Sequence, residues 1–315
     1  MLLVVSPNLA VDRVLEVEGL QKGAVHRTCS VLVQAGGKGS NVARVFRQFG
    51  GDVAVIGFVG GRSGAWIVDQ LRSLGISVDA VQGYSQESRT CTIIRDPTLS
   101  GPPTVINEES PEVEPGAAAE LIARVQAWLP RVDAVLVTGS LSRGLPFTFY
   151  RRLLEHSAQQ NKITALDAAG PALQEGLKAH PTFAKPNAEE FAALAGCGET
   201  ALAGIARHVR SELNSFADQF AVTLGEQGAI LVAGSQSWQA RPPRIRHTNP
   251  IGCGDAFVAG YLHGLLNNLD FKASFRLAIA AAVSDAGSLA PGFIDREEVE
   301  ELAQEVEVVR CSFQK

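Results

Sequence analysis

Residues 34–60 read QAGGKGSNVARVFRQFGGDVAVIGFVG. A glycine-rich turn opens the stretch. A run with Val42, Val45, Phe46 and Phe49 on one face follows at helical spacing. After a second glycine pair comes VAVIGFVG at 53–60, a continuous apolar run of the length of a buried strand. Turn, amphipathic helix and buried strand form one period of a strand–helix alternation. The same alternation recurs along most of the chain. LLVVS reads as a strand, AVLVTGS, ITALDAAG, TFAKPN and FAVTLG read as strands each expected to lead into a helical segment, and a helix is expected over about Ser63 to Leu74. This predicts an α/β fold, a mainly parallel sheet with helices on both faces. Ligands of such sheets sit beyond the carboxyl ends of the strands, so the residues after each strand are the ones to inspect.

Two stretches break the alternation. Residues 12–34 hold two strand-like runs joined by a turn at Lys22-Gly23, and residues 89–108 hold two more joined by a turn from Pro97 to Pro103. Neither shows a helical period. They predict a small separate β-sheet inserted into the α/β body, a flap beside a cleft.

Bulk properties exclude several classes. The chain has 315 residues, 46% of them hydrophobic, and a net charge of −5. There is no basic excess for nucleic acid and no polybasic run for a membrane surface. No apolar stretch suits a bilayer span, and the apolar start MLLVVS reads as a strand, not a signal peptide. Cys29, Cys91, Cys197, Cys253 and Cys311 are scattered, with no Cys-x-x-Cys pair. That pattern predicts reduced thiols in a cytoplasmic protein. The six histidines form no zinc pattern.

Three stretches carry chemistry. In NPIGCGDAFVAGYL (249–262), Gly252 and Gly254 flank Cys253, and Asp255 follows at the start of a helix. Free N–H groups at such a helix start suit a phosphate. Asp255 is either a favourable first-turn carboxylate or a base that takes a proton from an attacking hydroxyl. In GGKGSN, Lys38 precedes Gly39, so neither a P-loop nor a dinucleotide fingerprint is present, which removes a dinucleotide-dependent oxidoreductase. Lys38 and Asn41 are polar groups able to hold a sugar or its phosphate. In KPNAEE (185–190), Asn187 and Glu190 have capping-box spacing, and Glu190 could also hold magnesium through water. In TLGEQGAILV, Gly225 and Gly228 mark either a hairpin turn or a nucleotide loop.

In this order these stretches resemble the PfkB carbohydrate kinase family, with its ribokinase-like three-layer α/β/α fold, across residues 1–315 as a single domain. AGGKGSNVARVFRQFGGDVAVIGFVGG is similar to the family's N-terminal signature, NPIGCGDAFVAGYL to its C-terminal one, and KPNAEE to its N-x-x-E motif. The resemblance implies Asp255 as catalytic base and the amides of Gly252, Cys253 and Gly254 as anion hole. It implies Asp12, Gly36, Gly37 and Asn41 on sugar hydroxyls. It also implies Lys185 near the ATP phosphates, Asn187 and Glu190 organising Mg²⁺, and Thr223, Gly225 and Gly228 bordering the nucleotide. The two β inserts match the family's lid, which commonly forms a homodimer contact.

Further motifs resemble the family's hexose-phosphate kinases, which act as 1-phosphofructokinases, tagatose-6-phosphate kinases or minor-type 6-phosphofructokinases. These are SPNLAVDRVLEV (with Leu9 in place of the usual proline), GGKGSN, ESRTCTII, TGSLSRGLP and LDAAGPAL. Arg89 and Lys38 are then expected to grip the substrate's existing phosphate, for which an arginine offers bidentate contacts. Fructose 1-phosphate is the favoured acceptor, though the Asn-Pro of NPIGCGD leans toward tagatose 6-phosphate. A non-catalytic sugar-phosphate sensor is the alternative of a different class. Two departures carry expectations. Cys253 replaces the usual alanine or serine, and its place at a helix start predicts a lowered thiol pKa and sensitivity to thiol reagents. Thr248 and Asn249 stand where many relatives have Asp-Thr, whose aspartate often serves a monovalent cation.

Overall fold

The computed structural model describes residues 1–99, 101–196, 204–205, 209, 217–244 and 249–311. Among these, the main sheet has eleven strands. They are β1 (Leu2–Asn8), β4 (Val53–Val59), β5 (Ser77–Val78), β6 (Val81–Gln82), β9 (Ala134–Thr138), β10 (Ile163–Asp167), β11 (Phe183–Ala184), β12 (Gln219–Thr223), β13 (Ala229–Ala233), β14 (Gln236–Arg241) and β15 (Glu307–Arg310). The order is β15-β14-β13-β12-β11-β10-β9-β1-β4-β5, with β6 also on β4. Pairing is parallel from β12 through β5 and antiparallel from β12 outward to β15.

Period-two alternation divides the strand side chains between two cores. Leu2 and Val4 of β1, Val53 and Val55 of β4, and Ala134 and Leu136 of β9 face one side. Leu3, Val5, Ala54, Ile56, Val135 and Val137 face the other. The first core is closed by α1 (Lys38–Gln48), α2 (Gly61–Ser73), α7 (Cys253–Leu266), α8 (Phe271–Gly287) and α9 (Arg296–Glu305). The second is closed by α3 (Ala117–Trp128), α4 (Phe149–Gln159), α5 (Gly170–Leu177) and α6 (Ala188–Ala195). Each fully buried Leu, Val or Phe contributes about 1.5–3 kcal/mol. The central strands, apolar on both faces, are therefore the rigid floor on which loops can be placed.

The helix in the opening stretch begins four residues before the first residue of its apolar face, at Lys38, because Gly37 serves as N-cap at φ 84°. Val42, Val45, Phe46 and Phe49 are buried as expected. Helix α2 likewise starts at Gly61. One expected helix is absent. After β12 the chain turns through Gly225–Gln227 into antiparallel β13, so FAVTLG leads into a hairpin. Gly228 sets that turn at φ 88°, where an added Cβ would lie 2.0 Å from the Ala240 carbonyl oxygen.

The inserts form a second, four-stranded sheet in the order β3-β2-β7-β8, with β2 (Ala10–Glu16), β3 (Val31–Gly36), β7 (Thr90–Arg95) and β8 (Thr104–Asn107). Val14, Cys91 and Ile93 are buried in it, while Val31, Leu32, Val33, Val105 and Ile106 are exposed. Among the described residues, no helix is long and apolar enough to cross a membrane.

Candidate active site

The ends of β1, β9, β10, β11 and β12, the starts of α1 and α7, and the underside of the small sheet carry the expected residues. At the start of α7, Gly252 takes φ 98°. An added Cβ there would meet Asp285 Oδ2 at 2.6 Å and Pro291 at 2.9 Å, so the bend requires glycine. The first N–H groups of the helix, at Gly252, Cys253 and Gly254, have no intrahelical acceptor and leave a positive pole. An added Cβ at Gly254 would lie 3.4 Å from Lys185 Nζ, so the lysine reaches this helix start.

Asp255 does not cap its helix. Gly252 is the N-cap and no side-chain cap bond is present. The carboxylate is buried, and Asn41 Nδ2 donates to its Oδ2 at 2.9 Å. Burial pushes its pKa up to about 7, while Lys38, Asn41 and Lys185 pull it down and Asp167 pushes it further up. A carboxylate with a pKa near neutrality suits a general base.

Asp167, the last residue of β10, is fully buried between two lysines, at 3.2 Å from Lys185 Nζ and 3.3 Å from Lys38 Nζ. Burial alone would raise its pKa, but Lys185 and Lys38 together hold it below the usual carboxylate range. Lys38 is also 3.9 Å from Glu190 Oε1. Burial would lower the Lys38 pKa, yet the carboxylates of Asp167, Asp255 and Glu190 outweigh it and raise the pKa.

Asn187 and Glu190 form the expected capping box. Asn187 Oδ1 accepts from the Glu190 amide and Glu190 Oε2 accepts from the Asn187 amide, both at 2.8 Å. Asn187 also bridges to Thr223, whose amide donates to the Pro186 carbonyl. Lys185, Asn187, Glu190 and Thr223 are therefore neighbours, with Gly225 and Gly228 in the turn beyond.

Under the small sheet, Asp12 is buried and lies against the Gly36-Gly37 turn. An added Cβ at Gly36 would overlap its carboxyl group at 2.0–2.4 Å. Burial raises the Asp12 pKa, opposed by Arg44, Arg89 and hydrogen bonds from Gly37 and Cys91. Arg89 lines a cleft of about 540 Å³ with Asn8, Ser140 and Arg143.

A family model described as "pfkB family carbohydrate kinase" matches residues 1–289. The chain belongs to that family. Of its pfkB relatives, a 1-phosphofructokinase of Rhodobacter capsulatus is 33% identical over 305 residues, 96% of each chain. A tagatose-6-phosphate kinase of Staphylococcus epidermidis is 28% identical over 312 residues, 98% of this chain and 99% of the other. Among solved structures, phosphofructokinase-2 of Escherichia coli in complex with potassium superposes with a TM-score of 0.88 at 21% identity. It covers 96% of this chain and 98% of that one, and this likeness shows the ribokinase-like fold alone.

The geometry bears on three of these residues. Lys38 pairs with Asp167 and Glu190, and the cleft of Arg89 is also lined by Arg143. The Cys253 thiol is raised above its ordinary pKa, first by burial and then by Asp285 and Asp255, which outweigh the helix pole. Asn249 commits its side chain locally, accepting from the Ile251 amide at 3.0 Å and donating to the Leu289 carbonyl at 3.2 Å. Thr248 and Cys197 lie outside the described residues. Sequence reading also missed Asp167, Arg44 and Asp285. Asp167 was findable as a carboxylate ending an apolar strand. Arg44, buried, donates to Asn41 Oδ1 at 3.2 Å and so fixes which way that amide faces Asp255.

Proposed function

We propose that this pfkB-family kinase transfers the γ-phosphoryl group of ATP to a hydroxyl of a ketohexose monophosphate. Fructose 1-phosphate is the first choice, giving fructose 1,6-bisphosphate. The observation that carries the reading is Asp255. It is a buried carboxylate with a pKa near 7, in the first turn of the helix whose start carries the amides of Gly252, Cys253 and Gly254, and held at one oxygen by Asn41. Its second oxygen is left for an acceptor hydroxyl, whose proton it takes as the hydroxyl attacks phosphorus. The amides and Lys38 stabilise the charge on the transferred group.

Asp12, Gly36, Gly37 and Asn41 would hold sugar hydroxyls. Lys185 and the Nδ2 group of Asn187 would face the ATP phosphates, and Thr223, Gly225 and Gly228 would border the nucleotide. The donor set suits Mg²⁺, since Glu190 offers a hard carboxylate oxygen, Oε1, outside the capping box. Asn187 Oδ1 is engaged by the Glu190 amide, so Glu190 would hold the ion through water. Bound there, Mg²⁺ neutralises phosphate charge. The small sheet would act as a lid that excludes water. Its exposed residues Val31, Leu32, Val33, Val105 and Ile106 would meet a second copy in a homodimer, which sedimentation would detect. A cytoplasmic setting belongs to the same reading, and Cys29, Cys91, Cys253 and Cys311 are free thiols.

Tagatose 6-phosphate is the second acceptor, favoured by the 28% identical tagatose-6-phosphate kinase. Steady-state ADP release with fructose 1-phosphate, fructose 6-phosphate, tagatose 6-phosphate and unphosphorylated sugars tests the proposal. Turnover with one of the three phosphates and little with free sugars is expected. Binding without turnover of any would replace it with the sensor.

A further inference from the structure

The cleft of about 540 Å³ beside the small sheet is lined by two arginines, one from each side of the opening. Arg89 leads into β7 of the small sheet. Arg143 sits on the body, in the loop after β9. Among the described residues neither guanidinium makes a close ion pair with a buried carboxylate, although Arg89 acts on the buried Asp12 at longer range. Arg89 Nη1 reaches the Glu108 carbonyl at a long 3.5 Å, and Arg143 Nη1 lies 3.4 Å from Glu109 Oε2. Both side chains of the second pair are mostly exposed, 61% and 85%, so water screens that attraction.

The backbone that carries Arg143 is, by contrast, held firmly. Ser142 Oγ donates to the Pro7 carbonyl at 3.0 Å and pairs with the Tyr84 hydroxyl at 2.7 Å. The Arg143 amide donates to Ser110 Oγ at 3.0 Å, and its carbonyl accepts from the Val113 amide at 3.0 Å. Residues 110–113 are the segment by which the chain leaves the small sheet. The Arg143 backbone is thus anchored where the chain leaving the small sheet meets the body, and its side chain is exposed.

We propose that Arg143 is a second phosphate-binding arginine, so that the acceptor's existing phosphate bridges Arg89 on the lid and Arg143 on the body, displacing Glu109. This rests on the sugar-phosphate kinase reading and names a partner for Arg89 across the cleft. A dianion between two forked guanidiniums gains charge-assisted bonds on both sides. It also ties the lid to the body, so a sugar without a phosphate would bind weakly and close the lid poorly. Glu109 is the weakly held, water-screened anion that the phosphate displaces.

The test uses the full chain with ATP and whichever sugar phosphate it turns over, comparing Arg143→Gln, Arg143→Lys and Glu109→Gln. Arg143→Gln is expected to raise the sugar-phosphate KM by about ten- to a hundredfold, leaving the ATP KM within about twofold. Arg143→Lys should recover part of the loss, because it restores the charge without the fork. Glu109→Gln should move the KM the opposite way, downward. Competitive inhibition by inorganic phosphate should weaken in Arg143→Gln and strengthen in Glu109→Gln. An unchanged sugar-phosphate KM in Arg143→Gln, or shifts of the same sign in Arg143→Gln and Glu109→Gln, overturns the assignment. Absence of wild-type turnover with every sugar phosphate fails the kinase reading itself, a result separable from an active wild type with an indifferent Arg143→Gln. Arg143 is exposed, and an unchanged melting temperature confirms that the variants fold.

Discussion

Replacing Asp255 with asparagine should make the protein more stable and nearly inactive. The carboxyl group's pKa rises from an ordinary 3.8 to about 7, first of all because it is buried. Between those values the native state holds a proton that the unfolded chain has released. Stability therefore falls as pH rises through this window, by about 1.4 kcal/mol per pH unit. Above pH 7 the accumulated burden has a ceiling of about 4 kcal/mol. An amide keeps the shape and can still accept from Asn41, but carries no charge to desolvate. It also removes the attraction to Lys38, so a gain of about 2–4 kcal/mol at pH 8 is expected. That corresponds to roughly 3–6 °C in melting temperature. The gain should vanish below about pH 4, where both states are protonated. Asp285, raised to about 8 mainly by burial, keeps some of the same slope in the variant. Urea titrations at pH 4, 6 and 8, followed by tryptophan fluorescence, would measure the gain. Turnover should fall by about 10²–10⁴, and wild-type kcat/KM should rise with pH through about 7. A variant no more stable than wild type at pH 8 would refute the burial argument. Turnover within tenfold of wild type would refute the base.

Asp167→Asn should act in the opposite sense, because it strands Lys185 and Lys38 without their shared carboxylate. A loss of about 3–5 kcal/mol is expected. It should be largest at neutral pH and fade as acid protonates the wild-type group, and adding Lys185→Met should restore part of it in denaturant titrations. Gly36→Ala drives a Cβ into the Asp12 carboxyl group at 2.0–2.4 Å. The sugar KM should rise about tenfold or more, and an unchanged KM would separate Asp12 from sugar binding. Cys253, with its thiol pKa raised by burial and two carboxylates, should react with iodoacetamide at pH 8 more slowly than the exposed Cys29. Peptide mass spectrometry after brief labelling would show equal or faster Cys253 modification if the reasoning failed.

Local patterns made the scaffold legible. Apolar runs of strand length between helical periods marked the parallel core, and the two stretches without helical period became the four-stranded sheet. The Asn187–Glu190 box was readable because both halves lie three residues apart. What stayed hidden depends on residues far apart in the chain. Asp167 matters because Lys38, 129 residues away, and Lys185 converge on it. The Cys253 expectation failed for a related reason. A helix start favours a thiolate, but burial and the carboxylates of Asp255 and Asp285 oppose it more strongly. The ion pairs of Lys38 with Asp167 and Glu190 likewise join residues far apart in the chain.

Those partners also decide which carboxylate is offered as base. Asp167 and Asp255 are both buried, and each interacts with both lysines. Burial pushes both pKa values up, so burial alone does not separate them. Direct ion pairs do. Asp167 takes Lys185 and Lys38 at 3.2 and 3.3 Å and falls below the ordinary range. Asp255 receives a neutral amide from Asn41, feels the ionised Asp167 as a like charge, and rises to about 7. Two carboxylates with pKa values pushed apart take different tasks. The lower one is a fixed counter-ion to both lysines at the strand ends. The upper one can accept a proton near neutral pH and release it afterwards. On this reading the two-lysine grip on Asp167 is part of what makes Asp255 a base, and Asp167→Asn should shift the acid limb of the kcat/KM profile downward. An acid limb unmoved in that variant would sever the link.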